Sequence, residues 1–128
     1  MDSRRVRRLL IAAALLAFAP ICAGEPQLRV LVQRAPLAGY THYEAPSLWP
    51  RFRTGDRLDL SREPDNPHDA RAIAVRWQQH RIGYLPRAEN DAVSQAMDEG
   101  SRVEARIGRL RDDPDPRHRI EIEVFLLP

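Results

Sequence analysis

The 128-residue sequence predicts a small, mainly β domain of about six short strands and one helix, an arrangement typical of a small β-barrel. Two observations carry this prediction. Apolar residues alternate with polar ones in several separate segments, which is the period of a half-buried strand. One further segment has its apolar residues at helical spacing, and a glycine follows it.

The predicted strands are short and are separated by turns rich in proline, glycine and acidic residues. Leu58 and Leu60 share one face of a strand, and three apolar residues of the segment 72–77 share one face of the next. A polar turn then leads back into residues 81–85, so these two strands form a hairpin. The predicted strands are 28–32, 56–60, 72–77, 81–85, 103–107 and 120–126, with a turn at 35–39 and an optional short strand at 40–43.

Residues 86–99 form the predicted helix. Ala92, Val93, Ala96 and Met97 fall on one helical face, at positions i, i+1, i+4 and i+5. Gly100 follows directly and is a typical residue just beyond a helix C-terminus. We therefore expect one amphipathic helix between the fourth and fifth predicted strands.

The segment 62–69 reads Arg-Glu-Pro-Asp-Asn-Pro-His-Asp and predicts a rigid loop. Its two prolines exclude a regular helix or a central strand, and its Asn and Asp residues favour Asx-turns. The loop would hold Asp65, Asn66, His68 and Asp69 close together. A shaped polar loop on a β scaffold is a common place for binding residues, so this loop is the candidate functional segment.

Residues 1–24 are expected to be a cleaved signal peptide, with the folded domain in residues 25–128. Four arginines precede an unbroken apolar run, and that run is well short of the ~20 residues a spanning helix needs. The predicted location is secreted or periplasmic, with no membrane span in the mature chain. The alternatives are an uncleaved N-terminal membrane anchor and acylation at Cys22.

The charge balance changes when that leader is removed. The whole chain has a net charge of +2, but from Glu25 onward it has 16 arginines against 17 acidic residues. A strongly basic surface that coats nucleic acid is therefore not expected, and any phosphate binding must come from local clustering. The mature chain would also contain no cysteine, so its core would be held by packing alone.

Neither a cofactor, a metal centre nor an enzyme activity is indicated. The four histidines lack tight spacing, and His68 with Asp69 is only a weak metal-ligand pair on one loop. No glycine-rich phosphate loop and no nucleophile–histidine–acid spacing stands out. The sequence therefore favours a binding module over an enzyme.

The chain resembles the HIRAN domain family over roughly residues 37–127. Four consecutive motifs carry the resemblance. They are Gly-Asp-x-Leu-x-Leu at 55–60, the Arg-Glu-Pro-x-Asn-Pro-x-Asp loop at 62–69, Ala-Ile-x-Val at 72–75 and Gly-Tyr-Leu-Pro at 83–86. The resemblance implies a six-stranded, OB-like barrel with a capping helix. It also implies binding of single-stranded DNA at a 3′ end, in a pocket that stacks the terminal base and binds the 3′-hydroxyl.

The resemblance also assigns expected roles to individual residues. Asp69 would accept a hydrogen bond from the 3′-hydroxyl, although the same carboxylate could instead cap the loop. His68 and His42 fall where stacking aromatic residues are expected, and Tyr43 is the alternative to His42. Arg87 would contact phosphate at a helix start. The remaining candidate is Phe125, from the last strand, whose face the alternation leaves undecided.

Two functions remain open from the sequence. The first is an exported nucleic-acid-binding module that binds single-stranded DNA ends through the loop-lined pocket. The alternative is an envelope module on the same barrel that binds a protein or another ligand and not nucleic acid. Histidines in place of two stacking residues, and a mature net charge of −1, favour the alternative more than the fold alone would.

Overall fold

Six antiparallel strands form one sheet in the computed structural model, which describes residues 28–128. The signal-peptide prediction therefore lies outside the described residues. The strands are β1 (Val30–Pro36), β2 (Arg57–Arg62), β3 (Ile73–Trp77), β4 (His80–Tyr84), β5 (Arg102–Leu110) and β6 (Ile120–Leu127). Two α-helices, α1 (Ala45–Leu48) and α2 (Asp91–Asp98), and short 3₁₀ turns at Tyr40–His42, Trp49–Arg51, Arg87–Glu89 and Pro116–His118 complete the described chain.

The sheet has the strand order β1-β6-β5-β2-β3-β4, so the first and fourth strands lie at its two ends. These ends meet at a single bridge, where Ala38 and Tyr84 exchange two backbone hydrogen bonds of 2.9 Å. We call this bridge the seam. The predicted mainly β fold with six strands is confirmed, but no continuous strand pairing closes the sheet into a barrel.

The core lies on the inner faces predicted by the period-two alternation. Leu58 of β2, Ile73 and Val75 of β3, and Ile122 and Val124 of β6 are each at most 2% exposed. A fully buried side chain of this size contributes about 1.5–3 kcal/mol relative to an exposed one. These positions hold the sheet around one apolar interior.

The first strand differs from the prediction in its position. We expected residues 28–32 to be the strand and 35–39 a turn, but β1 begins at Val30 and continues to Pro36. Its second half pairs with β6, from Arg34 opposite Glu123 to Pro36 opposite Glu121. Proline is tolerated there because it ends an edge strand, where its missing N–H removes no central ladder bond.

The prediction of an optional short strand at 40–43 is wrong. Residues Tyr40–His42 form a 3₁₀ turn that starts after Gly39, which has a left-handed φ of 78°. Tyr40 is buried and packs edge-on against Trp49, with 6.2 Å between the ring centroids. Burial of this aromatic ring outweighs the weak strand pattern of the segment.

The predicted helix is shorter than expected. Residues 87–89 form a 3₁₀ turn, and α2 covers only Asp91–Asp98. Val93 is buried and Met97 packs against the core, as predicted, but Ala92 is exposed. Gly100 ends the helix as expected, and its N–H donates to the Met97 carbonyl at 3.0 Å. Over residues 28–128 we find no helix with the length and apolar character needed to cross a bilayer.

Gly83 is required at the seam, and its substitution by alanine should destabilise the protein. A Cβ on Gly83 would lie 2.2 Å from the Ala38 carbonyl oxygen, a backbone atom that the seam holds in place. We expect Gly83→Ala to lower the free energy of unfolding by roughly 3 kcal/mol, measured by urea denaturation. Gly100→Ala is the control, because its Cβ meets nothing within 4 Å and only its positive φ is strained, at about 1 kcal/mol. Equal losses in the two variants would contradict a tightly packed seam.

Candidate functional site

The loop between β2 and β3 is fixed by its own side chains. The Asn66 Oδ1 atom accepts the backbone N–H groups of His68 at 2.9 Å and of Asp69 at 3.2 Å. At the base of the loop, the Glu63 N–H donates to the Ala72 carbonyl at 2.9 Å. The predicted Asx-turn is confirmed, and these bonds fix the course of the loop backbone.

Arg62 ties this loop to helix α2. Its guanidinium donates to the carbonyls of Ala72 at 2.8 Å and Ala70 at 2.9 Å, and to both carboxylate oxygens of Asp98 at 2.9 and 3.2 Å. Hydrogen bonds from arginine to Asp98 lower the pKa of that carboxyl, against the opposing effect of its partial desolvation. Arg62 thus shapes the loop and does not point into open solvent.

Asp69 is anchored through both of its carboxylate oxygens. Oδ1 accepts the backbone N–H of Arg71 at 2.9 Å, and Oδ2 accepts the side-chain amide of Asn90 at 2.7 Å. The bond from the Arg71 N–H, then that from Asn90, and the nearby Arg87 charge hold the pKa of Asp69 below its ordinary value of 3.8. Asp69 is therefore an ionised acceptor at neutral pH that also caps the loop.

Asn90 positions Asp69, a role for which no local sequence pattern is a signal. Asn90 is 1% exposed and lies between the 3₁₀ turn at 87–89 and helix α2. Its Nδ2 atom donates to Asp69, whereas its Oδ1 atom has no hydrogen-bond partner among the described residues. Only the folded chain shows this contact, because the two residues are 21 positions apart.

The half-buried carboxylate of Glu63 joins the loop to strand β4. Oε1 accepts the Tyr84 hydroxyl at 2.7 Å and the Asn66 amide at 3.1 Å, and Oε2 pairs with the Arg81 guanidinium at 2.7 Å. Desolvation acts to raise the pKa of Glu63, but these bonds and the Arg81 charge outweigh it and lower that pKa. Desolvation together with the Glu63 carboxylate raises the pKa of Tyr84 to about 12.

These contacts build one open cleft of about 260 Å³, which we call the Asp69 cleft. It brings together four of the six residues that the sequence proposed, namely Tyr43, His68, Asp69 and Arg87. Its other lining residues are Ala38, Asn66, Ala72, Tyr84 and Leu85. The cleft thus joins an anionic acceptor, a cation and aromatic rings at the loop edge of the sheet.

The aromatic side of the Asp69 cleft consists of Tyr43 and Tyr84. Their ring centroids are 5.5 Å apart with planes tilted by 60°, and the Arg81 guanidinium lies 5.8 and 5.6 Å from the two rings. Tyr43 is 37% exposed and so presents ring surface to solvent. Tyr84 was not among the proposed site residues, although the Gly-Tyr-Leu-Pro motif that contains it marked its position.

His42 and Phe125 lie outside the Asp69 cleft. His42 lines a neighbouring cleft together with Thr41 and Arg117, so Tyr43 is the residue of this pair that reaches the candidate site. Phe125 is 8% exposed and lies under the Arg106 guanidinium, 4.7 Å from it, beside residues of β5. Phe125 lines a separate cleft with Arg57 and Glu104, whereas its neighbour Val124 belongs to the core.

A metal centre finds no support in residues 28–128, where no three His, Cys, Asp or Glu side chains come together in a way that could hold an ion. The weak pair of His68 and Asp69 gains no third ligand there. The Asp69 carboxylate is already engaged by two protein donors. The cleft offers hydrogen bonding, charge and ring stacking.

Comparison with family models identifies one family. The HIRAN domain family matches residues 30–127. The chain is similar to a solved protein from Lactobacillus plantarum, with 25% identity and a TM-score of 0.68 over 79% of this chain and 97% of that one. It shares the fold of the HIRAN domain of human HLTF, with 19% identity and a TM-score of 0.56 over 77% of this chain and 78% of that one. None of the curated proteins compared with the chain matches it.

Glu63→Gln should lower the free energy of unfolding at neutral pH, and much less at acidic pH. The folded-state pKa of Glu63 is lowered, so its carboxylate contributes stability that is present above its ordinary pKa of 4.5 and is lost as the pH falls through the folded value. We expect a loss of about 1–2 kcal/mol at pH 7 in urea unfolding, shrinking towards pH 3. The control is Asp65→Asn, since the exposed Asp65 makes no hydrogen bond or ion pair within the described chain. A difference between Glu63→Gln and the unmodified protein that is the same at pH 7 and pH 3 would count against this assignment.

Proposed function

This chain belongs to the HIRAN domain family, and from that premise we propose that its Asp69 cleft binds the 3′-hydroxyl end of single-stranded nucleic acid. HIRAN domains are known for nucleic-acid binding and are binding modules rather than enzymes. The observation that carries the proposal is the preformed cleft, in which Tyr43, His68, Asp69 and Arg87 meet on one surface.

Asp69 is suited to accept the terminal hydroxyl. A carboxylate has about four lone-pair sites, and the bonds from Arg71 and Asn90 occupy two of them. Because these donors fix its orientation, a ligand hydroxyl would meet an acceptor that is already aligned and ionised. A terminal phosphate in the same place would be repelled by the carboxylate.

Arg87 would supply a contact to phosphate, and Tyr43 would supply a stacking contact to a base. Arg87 is exposed, and no carboxylate of the described residues lies within 4 Å of its guanidinium, so its charge is available to a phosphate. Tyr43 offers its ring for a base to stack on, a contact worth ~1–3 kcal/mol per base that does not depend on sequence. His68 lines the cleft between these groups and can stack as a smaller ring.

We further propose that the domain is exported by its N-terminal leader. The support is the arginine-rich start followed by a short apolar run. Expressed in a Gram-negative host, the mature protein should appear in the periplasm, and N-terminal sequencing should begin near Gly24 or Glu25. Recovery of the full-length chain from the membrane fraction would favour the anchored alternative, and recovery from the cytosol would contradict export.

A protein partner is the second candidate function, and one observation favours it. Strand β1 is an end strand of the sheet, and apolar side chains at its start and just before it are exposed: Leu28 by 70%, Val30 by 52% and Val32 by 44%. Unpaired strand edges with apolar side chains are able to pair with another chain. This surface lies on β1 and is separate from the residues that line the Asp69 cleft.

Binding should depend on a free 3′-hydroxyl through Asp69. For a 5′-labelled oligonucleotide such as (dT)10, we expect the 3′-hydroxyl form to bind at least tenfold more tightly than the 3′-phosphate form in anisotropy titrations. Asp69→Asn removes the charge but keeps the shape, so it should weaken the hydroxyl form and bring the two ligands close to equal affinity.

Asp65→Asn serves as the matched control, because it removes the same charge from the same loop outside the cleft. It should leave the preference for the hydroxyl form intact. Equal binding of both oligonucleotides by the unmodified protein would contradict recognition of the 3′ end. A failure to bind either of them would leave the protein-partner function in its place.

A further inference from the structure

A second cleft, of about 230 Å³, lies at the end of the β5–β6 hairpin and is rich in arginine. Arg109 and Arg111 enter it from the end of β5, and Arg117 enters it from the turn before β6. His118 and Glu121 also line it, and Glu121 is its one carboxylate. We call it the arginine cleft.

Two of these arginines are free to bind an anion. Arg117 is paired with Asp115 at 2.8 Å, and most other arginines of the described chain also have an acidic partner. Within residues 28–128, no carboxylate lies within 4 Å of the guanidinium of Arg109 or Arg111, and both residues are exposed. Asp115 therefore neutralises the charge of Arg117, whereas the charges of Arg109 and Arg111 remain available.

The arginine cleft and the Asp69 cleft are lined by neighbouring residues at the end of β1. Pro36 lines the arginine cleft, Leu37 lines the intermediate cleft that contains His42, and Ala38 lines the Asp69 cleft. Arg117 lines both the arginine cleft and the intermediate one. Pro36 and Ala38 are two residues apart, so their Cα atoms are separated by at most roughly 7 Å. Three successive residues of one segment therefore line the three clefts in turn.

We propose that the arginine cleft binds the backbone phosphates of the same single strand whose 3′ end occupies the Asp69 cleft. This inference rests on the proposed function and extends it from a terminal nucleotide to a strand of several nucleotides. Single-strand-binding OB folds engage about 4–16 nucleotides each, more than one pocket can hold. Arg109 and Arg111 supply planar guanidinium groups, which bind phosphate oxygens in a bidentate way.

The contacts in the arginine cleft are independent of base identity. No aromatic ring among the described residues lines it apart from the His118 imidazole, so it lacks a stacking surface like that of Tyr43. Phosphate contacts position a strand and add affinity for all sequences alike. The strand would therefore run from its 3′ end at Asp69, past the intermediate cleft, to its 5′-ward phosphates at Arg109 and Arg111.

The test compares a short and a long oligonucleotide on the full chain. The probes are 5′-fluorescein (dT)3 and (dT)10, both with a free 3′-hydroxyl, titrated by anisotropy across a range of NaCl concentrations. For (dT)10, the double variant R109Q/R111Q should bind roughly 10- to 30-fold more weakly at 0.1 M salt. The salt slope should fall by about 1.4, at ~0.7 per phosphate contact. For (dT)3, whose two internucleotide phosphates lie next to its 3′-terminal nucleotide, the change should be under about twofold.

The control variant is R57Q/R102Q, which removes two exposed arginines that line none of the three clefts. It should leave the (dT)10 affinity within about twofold of the unmodified protein. Equal effects of the two double variants on (dT)10, or equal losses on (dT)3 and (dT)10, would overturn the arginine site while leaving 3′-end binding intact. If the unmodified protein binds neither probe, the proposed function fails and the arginine site fails with it.

Discussion

The shape of the Asp69 cleft depends on the carboxylate of Glu63. This one group binds the loop through Asn66 and strand β4 through Arg81 and Tyr84, at 2.7–3.1 Å. Desolvating a carboxylate is unfavourable, so the group is retained only because three donors compensate for the lost water. Glu63 therefore joins the loop to the aromatic side of the cleft, although it does not itself line the cleft.

Asp69 combines a structural role in the loop with the proposed role of binding a ligand hydroxyl. The sequence left open whether it caps the loop or meets a ligand, and the bonds from Arg71 and Asn90 show that it does cap the loop. Capping does not exclude binding, since it fixes the orientation of the carboxylate in advance. Preorganisation of this kind lowers the entropy that is lost when a ligand binds.

Much of the fold followed from local patterns, because alternation along a strand reports directly which face is buried. This alternation was less informative around Tyr40, where packing against Trp49 decides the backbone conformation. The loop motif predicted its own Asx-turn, since those bonds are local. The partners of the site residues were not predictable, because the Asp69–Asn90 contact joins distant positions and the face of Phe125 depends on the sheet as a whole.

The seam between Ala38 and Tyr84 couples ligand binding in the Asp69 cleft to separation of the two ends of the sheet. Both residues also line the Asp69 cleft, so the two ends of the sheet form part of its wall. A ligand that requires this wall binds only the joined state and stabilises it by mass action. Local separation of the sheet ends would therefore compete with binding, and a substitution far from any ligand atom could lower affinity simply by favouring the separated state.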